Sequence, residues 1–253
     1  MERITSRANP LLGHMKKLIK DRSYRREKGE FLCDGVKMLE EAIKWGAEIT
    51  AVLVSDGLDV PLPQKGRIAQ VPPGVMESVS PMKAPQGVVF TCKIPSQERF
   101  DLQNVKTLLL LDGLQDPGNV GTIWRSASAF GTDGLLLTGH SADPYNWKAV
   151  RASMGAVFRL PVMELEYTDL KALCDQTGLP LFGTALRDDT EDLRSIDPAQ
   201  PCILAVGSEG RGLSSELLSL CEKTVKIPME SGCESLNAAM AATVALWERY
   251  RFQ

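Results

Sequence analysis

Histidine is almost missing from this chain: His14 and His140 are the only two in 253 residues. The six cysteines, Cys33, Cys92, Cys174, Cys202, Cys221 and Cys233, form no C-x-x-C pair. A zinc site needs clustered Cys or His ligands, so the spacing argues against any metal centre. Several of these thiols sit inside apolar runs, where a reduced, buried state is expected and a disulfide framework is not. No apolar run approaches the roughly 18 residues of a membrane span, and the opening Met1-Glu-Arg-Ile-Thr-Ser6 has no signal-like apolar core. The expected setting is cytoplasmic, with no membrane partner.

An excess of positive charge is missing too. The net charge is −3, which argues mildly against a nucleic-acid partner, because phosphate contact needs concentrated Lys and Arg. The average conceals an asymmetry. Residues 1–28 carry nine Lys and Arg against three acids, which leaves the remainder at −9. Leu11, Leu12, Met15, Leu18 and Ile19 fall at helical spacing, with Lys16, Lys17 and Lys20 elsewhere around the helix. This basic arm reads either as a solvated helix face or as a local polyanion site formed with Arg22, Arg25 and Arg26.

The chain is otherwise ordinary for a folded protein, with 43% hydrophobic and 24% charged residues. Strand and helix signals up to about residue 93 describe a small α/β domain. Residues 94–105 are polar, contain Pro95 and lack periodicity, as a linker does. From 106 to 253 the two signals alternate, with strands expected near 107–111, 134–138, 157–162, 180–184, 202–206 and 224–227. Helices are expected near 120–130, 146–154, 168–177, 214–221 and 235–251. Thr107-Leu-Leu-Leu-Leu111 and Cys202-Ile-Leu-Ala-Val206 show no alternation, as expected of a parallel sheet covered on both faces.

Three segments place glycine and polar residues where such runs stop. The first, Asp112-Gly-Leu-Gln-Asp-Pro-Gly-Asn-Val-Gly-Thr-Ile-Trp-Arg125, reads as a strand-to-helix turn with Asn119 as a candidate cap. Arg125, on a helix with Ile123 and Ala127, must reach water, pair with an acid, or meet a phosphate or ribose. Its glycines, Gly113, Gly118 and Gly121, do not have the G-x-G-x-x-G spacing, which disfavours a nicotinamide-dinucleotide oxidoreductase. In the second, Val206-Gly-Ser-Glu-Gly-Arg-Gly-Leu213, the glycines let main-chain groups face a flat ligand. Glu209, the only acid of that segment, is either solvated or part of a site. The third runs from Ile227-Pro-Met229 to Ser235-Leu-Asn237, where Ser235 is a candidate cap for an Ala-rich last helix. Ligands of open parallel sheets bind beyond the strands' carboxyl ends, so the three segments are expected to form one site.

In order and wording these segments resemble the three motifs of the SpoU (TrmH-type) RNA 2′-O-ribose methyltransferases of the SPOUT class. Ile4-Thr-Ser-Arg-Ala-Asn-Pro10, Glu30-Phe-Leu-Cys-Asp-Gly-Val-Lys-Met-Leu-Glu-Glu-Ala42 and Ser80-Pro-Met-Lys-Ala-Pro-Gln-Gly87 are similar to the L30e-like substrate-binding domain that precedes many of them. The resemblance implies an α/β fold whose C-terminal domain holds a deep trefoil knot, an exception to the unknotted rule. It also implies S-adenosylmethionine as cofactor, a homodimer through that domain, and RNA as substrate, ribosomal RNA before transfer RNA. By motif position the cofactor contacts fall on Thr184, Leu186, Gly207, Ile227 and Leu236, and the catalytic set on Arg125, Asn119, Glu209, Ser235 and Asn237. RNA contacts are expected at Arg22, Arg25 and Arg26. The alternatives are the same transfer to tRNA, or a catalytically silent RNA- or ribosome-binding factor on the same fold.

Overall fold

A computed structural model describes residues 1–96, 102, 104–230, 232 and 235–252. Cys233, Glu234 and part of the linker expected at 94–105 lie outside the described residues. The chain begins with β1 (Glu2–Arg3), α1 (Pro10–Lys20), α2 (Arg22–Lys28), β2 (Glu30–Asp34), α3 (Val36–Lys44) and β3 (Ile49–Ser55). Next come β4 (Arg67–Val71), α4 (Pro73–Val79), β5 (Val88–Lys93), β6 (Thr107–Asp112), α5 (Pro117–Ala129) and β7 (Gly134–Thr138). The rest comprises α6 (Trp147–Ala152), β8 (Val162–Glu164), α7 (Tyr167–Thr177), β9 (Leu181–Thr184), β10 (Glu191–Asp192), β11 (Cys202–Gly207), α8 (Ser215–Leu220), β12 (Lys223–Lys226) and α9 (Ala238–Tyr250).

The chain divides into two compact units. One holds Met1–Pro95 together with Asp143–Arg159, the other Ser96–Ala142 with Leu160–Gln253. The reading of 106–253 as one continuous domain thus differs from the structure over Asp143–Arg159, which packs with the first unit. Phe158 was expected in a strand over 157–162, but Ala156–Phe158 form a short 3₁₀ turn entered through Gly155 at φ 87°. Phe158 lies 6.3 Å, ring centre to ring centre, from Phe31 of β2. A short apolar run has no period of its own, so packing decides its conformation.

The first unit is built on a five-stranded mixed sheet in the order β1-β4-β3-β5-β2. α1 forms as its spacing requires: Asn9 accepts from the Leu11 amide at 2.9 Å, Pro10 opens the helix, and Leu11, Leu12, Met15 and Leu18 are buried. The basic stretch does not continue as one helix. Asp21 ends α1 and caps α2, accepting from the Tyr24 amide at 3.0 Å. The break turns Arg25 inward, where it is only 3% exposed. Its guanidinium donates to the Leu18 carbonyl at 2.6 Å and to Asp143 at 2.5 and 2.8 Å. Arg25, expected to meet RNA, is occupied inside the unit; Arg26 is exposed and Arg22 half-buried.

The second unit is a seven-stranded sheet in the order β10-β12-β9-β11-β6-β7-β8, with every recorded pairing parallel. Leu108 to Leu111 of β6 and Ile203 to Val206 of β11 are buried on both faces, as the unalternating runs require. At the carboxyl end of the sheet Asp112 stands in register with Gly207 on one side and Thr138 on the other. From β12, at the far side of β9, the chain returns to form α9 against α5 and β11. Ala238, Ala239, Ala242 and Ala245 are buried, and Ser126 and Thr243 share a hydrogen bond of 2.8 Å between α5 and α9. Arg249 is buried near the end of α9 and donates to the Gln200 carbonyl at 2.8 Å.

Removing one partner of a buried ion pair strands the other charge. Arg25→Ala is therefore expected to lower the stability of the first unit by about 3–5 kcal/mol. Exposed Arg26→Ala should stay within about 0.5 kcal/mol, both read from urea unfolding.

Candidate functional site

The site is built where the central parallel strands end. Beyond β9, β11 and β12, three connections enclose a cavity of about 370 Å³. Residues 184–187, 206–209, 211–213, 225–227 and Met229 line it, with Leu218 of α8 and Ser235, Leu236, Ala238 and Ala241 around the start of the last helix. A cavity of this size suits a small ligand. All five positions expected to meet a cofactor, Thr184, Leu186, Gly207, Ile227 and Leu236, are among these residues. Leu186 and Leu236 are exposed there, presenting apolar surface.

The shape of the middle connection depends on glycine. Ser208 and Gly212 exchange backbone hydrogen bonds of 3.1 and 2.9 Å, folding the loop into a tight hairpin. A Cβ on Gly207 would lie 2.1 Å from the Gly212 carbonyl carbon, so only glycine permits that approach. On β9, a Cβ at Gly183 would lie 2.6 Å from Leu213 and 2.8 Å from the Cys221 sulfur. Main-chain groups thus approach one another closely around the cavity.

The polar residues of the motifs meet in part. Glu209 lines the cavity and accepts from Asn119 Nδ2, and Asn237 Nδ2 donates to Asn119 Oδ1 at 3.4 Å. One side chain from each motif therefore joins a single chain of hydrogen bonds. Asn119 is available because it is not the cap of α5: Asp116 is, accepting from the Gly118 amide at 2.7 Å. Likewise Asn237, not Ser235, caps α9, accepting from the Ala239 amide at 3.0 Å. That leaves Ser235 exposed on the cavity wall. Arg125 stands apart. It is exposed on α5, six residues beyond Asn119 and about a third of a turn round the helix, and is not among the cavity-lining residues.

Sequence reasoning missed Arg187, Lys226 and Met229, which also line the cavity. Their signal was their place at or just beyond the ends of β9 and β12. It also missed the partners of Asp112, a carboxylate only 2% exposed. Asp112 Oδ1 accepts from Thr138 Oγ1 at 3.0 Å and from the Tyr167 hydroxyl at 2.8 Å. Its Oδ2 accepts from the Ser214 amide at 2.7 Å. Burial is the main cause that pushes the Tyr167 hydroxyl above its ordinary pKa. The three donors satisfy a charge that is costly to bury unpaired.

Among the described residues no group of three or more His, Cys, Asp or Glu is arranged to hold a metal, and no helix is long and apolar enough to cross a membrane. Two family profiles cover most of the chain. The SpoU rRNA methylase family matches residues 106–247, and an MRM3-like substrate-binding domain matches residues 9–89. The chain is 35% identical to the 23S rRNA (uridine(2479)-2′-O)-methyltransferase of Streptomyces viridochromogenes, over 98% of this chain and 92% of that one. It is 29% identical to the 23S rRNA (guanosine(2553)-2′-O)-methyltransferase of Bacillus subtilis, over 98% of each. Its fold is similar to the crystal structure of an AdoMet-bound rRNA methyltransferase from Sinorhizobium meliloti, with a TM-score of 0.88, 29% identity, and 99% and 98% of the two chains covered.

Gly207→Ala is expected to force the 207–212 turn open, at about 1–3 kcal/mol of stability, and to weaken S-adenosylhomocysteine binding in calorimetric titration. Gly210→Ala, where a Cβ meets nothing within 4 Å, is the matched control and should change neither.

Proposed function

Because the chain belongs to the SpoU rRNA methylase family, we propose that it transfers a methyl group from S-adenosylmethionine to a ribose 2′-hydroxyl of ribosomal RNA. The observation that carries the reading is the meeting of three separate motifs at one cavity, whose Glu209 is bonded through Asn119 to Asn237. Ribosomal RNA is favoured over transfer RNA because the two relatives described above are both named for 23S rRNA. RNA rather than DNA follows from the chemistry, since only RNA has the hydroxyl that receives the group. The reading sets the protein in the cytoplasm.

The fit rests on this chain's own lining. The close Gly207–Gly212 approach, which any side chain at Gly207 would block, holds the loop in its tight turn, and Leu186, Ile227 and Leu236 offer an apolar wall. Main-chain groups at Thr184 and Gly207 would hold the donor, which supplies a methyl group made electrophilic by its sulfonium. A neutral sugar hydroxyl is a poor nucleophile, so the protein must align it and stabilise the charge that develops as it attacks. Arg125 serves that task best as a fixed cation that orients the ribose or an adjacent phosphate, because a guanidinium does not give up its proton readily. Glu209, Asn119 and Asn237 hold the cavity edge in shape, and Ser235 lines it.

Arg125 lies outside the cavity wall, which supports a substrate that approaches over the exposed side of α5. A homodimer fits the same surface. Met240, Val244, Trp247 and Tyr250 recur at helical spacing on α9, and Met240 is 63% and Trp247 50% exposed. Such an apolar stripe calls for a covering partner, and a second copy supplies one of matching character. In the first unit the exposed Lys17, Lys20 and Arg26, with Arg22, form the basic set for RNA phosphates.

Methyl transfer from labelled S-adenosylmethionine to ribosomal RNA tests the proposal. Arg125→Ala should lower kcat by at least about 100-fold while leaving S-adenosylhomocysteine affinity unchanged. Absence of transfer by the wild-type chain to either ribosomal or transfer RNA, with RNA still bound, would favour a silent binding factor. Replacing Lys17, Lys20 and Arg26 together with alanine should weaken RNA binding and flatten its log–log salt slope by about 2–3, without affecting donor binding. Equal loss of both would mean that these residues serve the fold.

A further inference from the structure

We infer that Asp112, held by Thr138 and Tyr167, is the positioning residue that fixes the span of the 207–214 loop and so the shape of the methyl-donor cavity. The inference rests on the reading of that cavity as the donor site. Asp112 grips the loop at both ends. Its backbone pairs in register with Gly207, where the loop leaves β11, and its carboxylate accepts from the Ser214 amide, where the loop enters α8. Between these two points lie Gly207, Ser208, Glu209, Arg211, Gly212 and Leu213, all of which line the cavity. A shift of the Ser214 anchor therefore passes directly into the wall.

The carboxylate is itself held. Thr138 from β7 and Tyr167 from the first turn of α7 both donate to Oδ1, which leaves Oδ2 turned toward Ser214. The space around Oδ1 is closed on another side by the backbone of Gly139. A Cβ there would lie 2.5 Å from Oδ1 and 2.7 Å from the Tyr167 oxygen, and the residue has φ +62°, where glycine is favoured. Burial raises the Tyr167 pKa, so its hydroxyl keeps the proton it donates throughout the neutral range. Neither Thr138 nor Tyr167 lines the cavity; Thr138 acts through Asp112, Tyr167 through Asp112 and the Ser214 side chain it also meets, and both reach the wall only through the loop.

Tyr167→Phe removes one donor and leaves the ring in place, so it tests the inference without emptying the site. In the full-length chain it should weaken S-adenosylhomocysteine binding and raise the KM for S-adenosylmethionine by about three- to tenfold. The KM for RNA and kcat at saturating donor should stay within about twofold, since Arg125 and the RNA-binding cations are untouched. Thr138→Val should behave in the same way, and Thr138→Ser, which keeps the hydroxyl, should restore wild-type affinity. Donor affinity unchanged in both Tyr167→Phe and Thr138→Val, with only the melting temperature lowered, would overturn the inference and leave the network a packing feature. Failure of the wild-type chain to bind S-adenosylhomocysteine would overturn the donor-site reading and the inference together.

Discussion

A carboxylate taken out of water needs either a cation or a full set of hydrogen-bond donors. Asp112 has the second. It ends the central strand β6, and its donors come from β7, from α7 and from the amide that starts α8. Those partners are distant in sequence, up to 102 residues away, so the bonds form only once the sheet has closed around them. The parallel register sets Gly207, Asp112 and Thr138 side by side, and the carboxylate then joins the loops that leave those strands. The cavity is a consequence of this junction. With β6, β7 and β11 in register, the turn after β11 is tied at Gly207 by the strand pairing, across itself by the Ser208–Gly212 bonds, and at Ser214 by Asp112.

The same logic explains why the motifs carry so much glycine and so few charges. Gly207 permits a backbone approach that any side chain would block, and Gly183 makes room for Leu213 and the Cys221 sulfur. Three polar side chains, one from each motif, then meet one another. Asn119 from the first turn of α5, Glu209 from the loop after β11 and Asn237 at the start of α9 form one hydrogen-bonded chain. Asn237 also caps α9, which ties the start of that helix to the cavity edge. The side chain that caps the helix is thus also the one that joins the hydrogen bonds at the cavity edge.

Much of this was legible in the sequence, for stated reasons. Runs without alternation, Thr107 to Leu111 and Cys202 to Val206, announce strands covered on both faces, and ligands gather at the ends of such strands. The resemblance to SpoU enzymes then ordered the loops, and the α/β fold with its parallel second sheet agrees with it. What was not legible is long-range. Arg25 looks like its neighbour Arg26 in a basic run, yet Asp143 of a distant segment takes it out of solvent. The caps lie two or three residues from the candidates: Asp116 and Asn237 hold the roles that the sequence offers equally to Asn119 and Ser235. Asp, Asn and Ser are all good caps, so local chemistry could not choose among them.

The basic arm shows how far charge counting can mislead in either direction. A run of nine cations suggests a uniform phosphate-binding strip. In the folded unit Arg3 pairs with Asp56 at 2.7 Å, Arg7 bonds the Gly74 carbonyl at 3.0 Å, Arg25 is buried and Lys28 pairs with Glu27 at 2.8 Å. The break at Asp21 divides the run between two helices, so that Lys17 and Lys20 project from α1 and Arg26 from α2. Six of the nine, Arg3, Arg7, Lys17, Lys20, Arg26 and Lys28, stay exposed, but Arg3 and Lys28 sit beside carboxylates that offset their charge in a protein of net charge −3. The proposed RNA contacts at Lys17, Lys20 and Arg26 are therefore a few placed cations on two helices, not one continuous strip. The buried Arg25–Asp143 pair ties α2 to the distant 143–159 segment within the first unit, which takes one cation of the run out of contact with any partner.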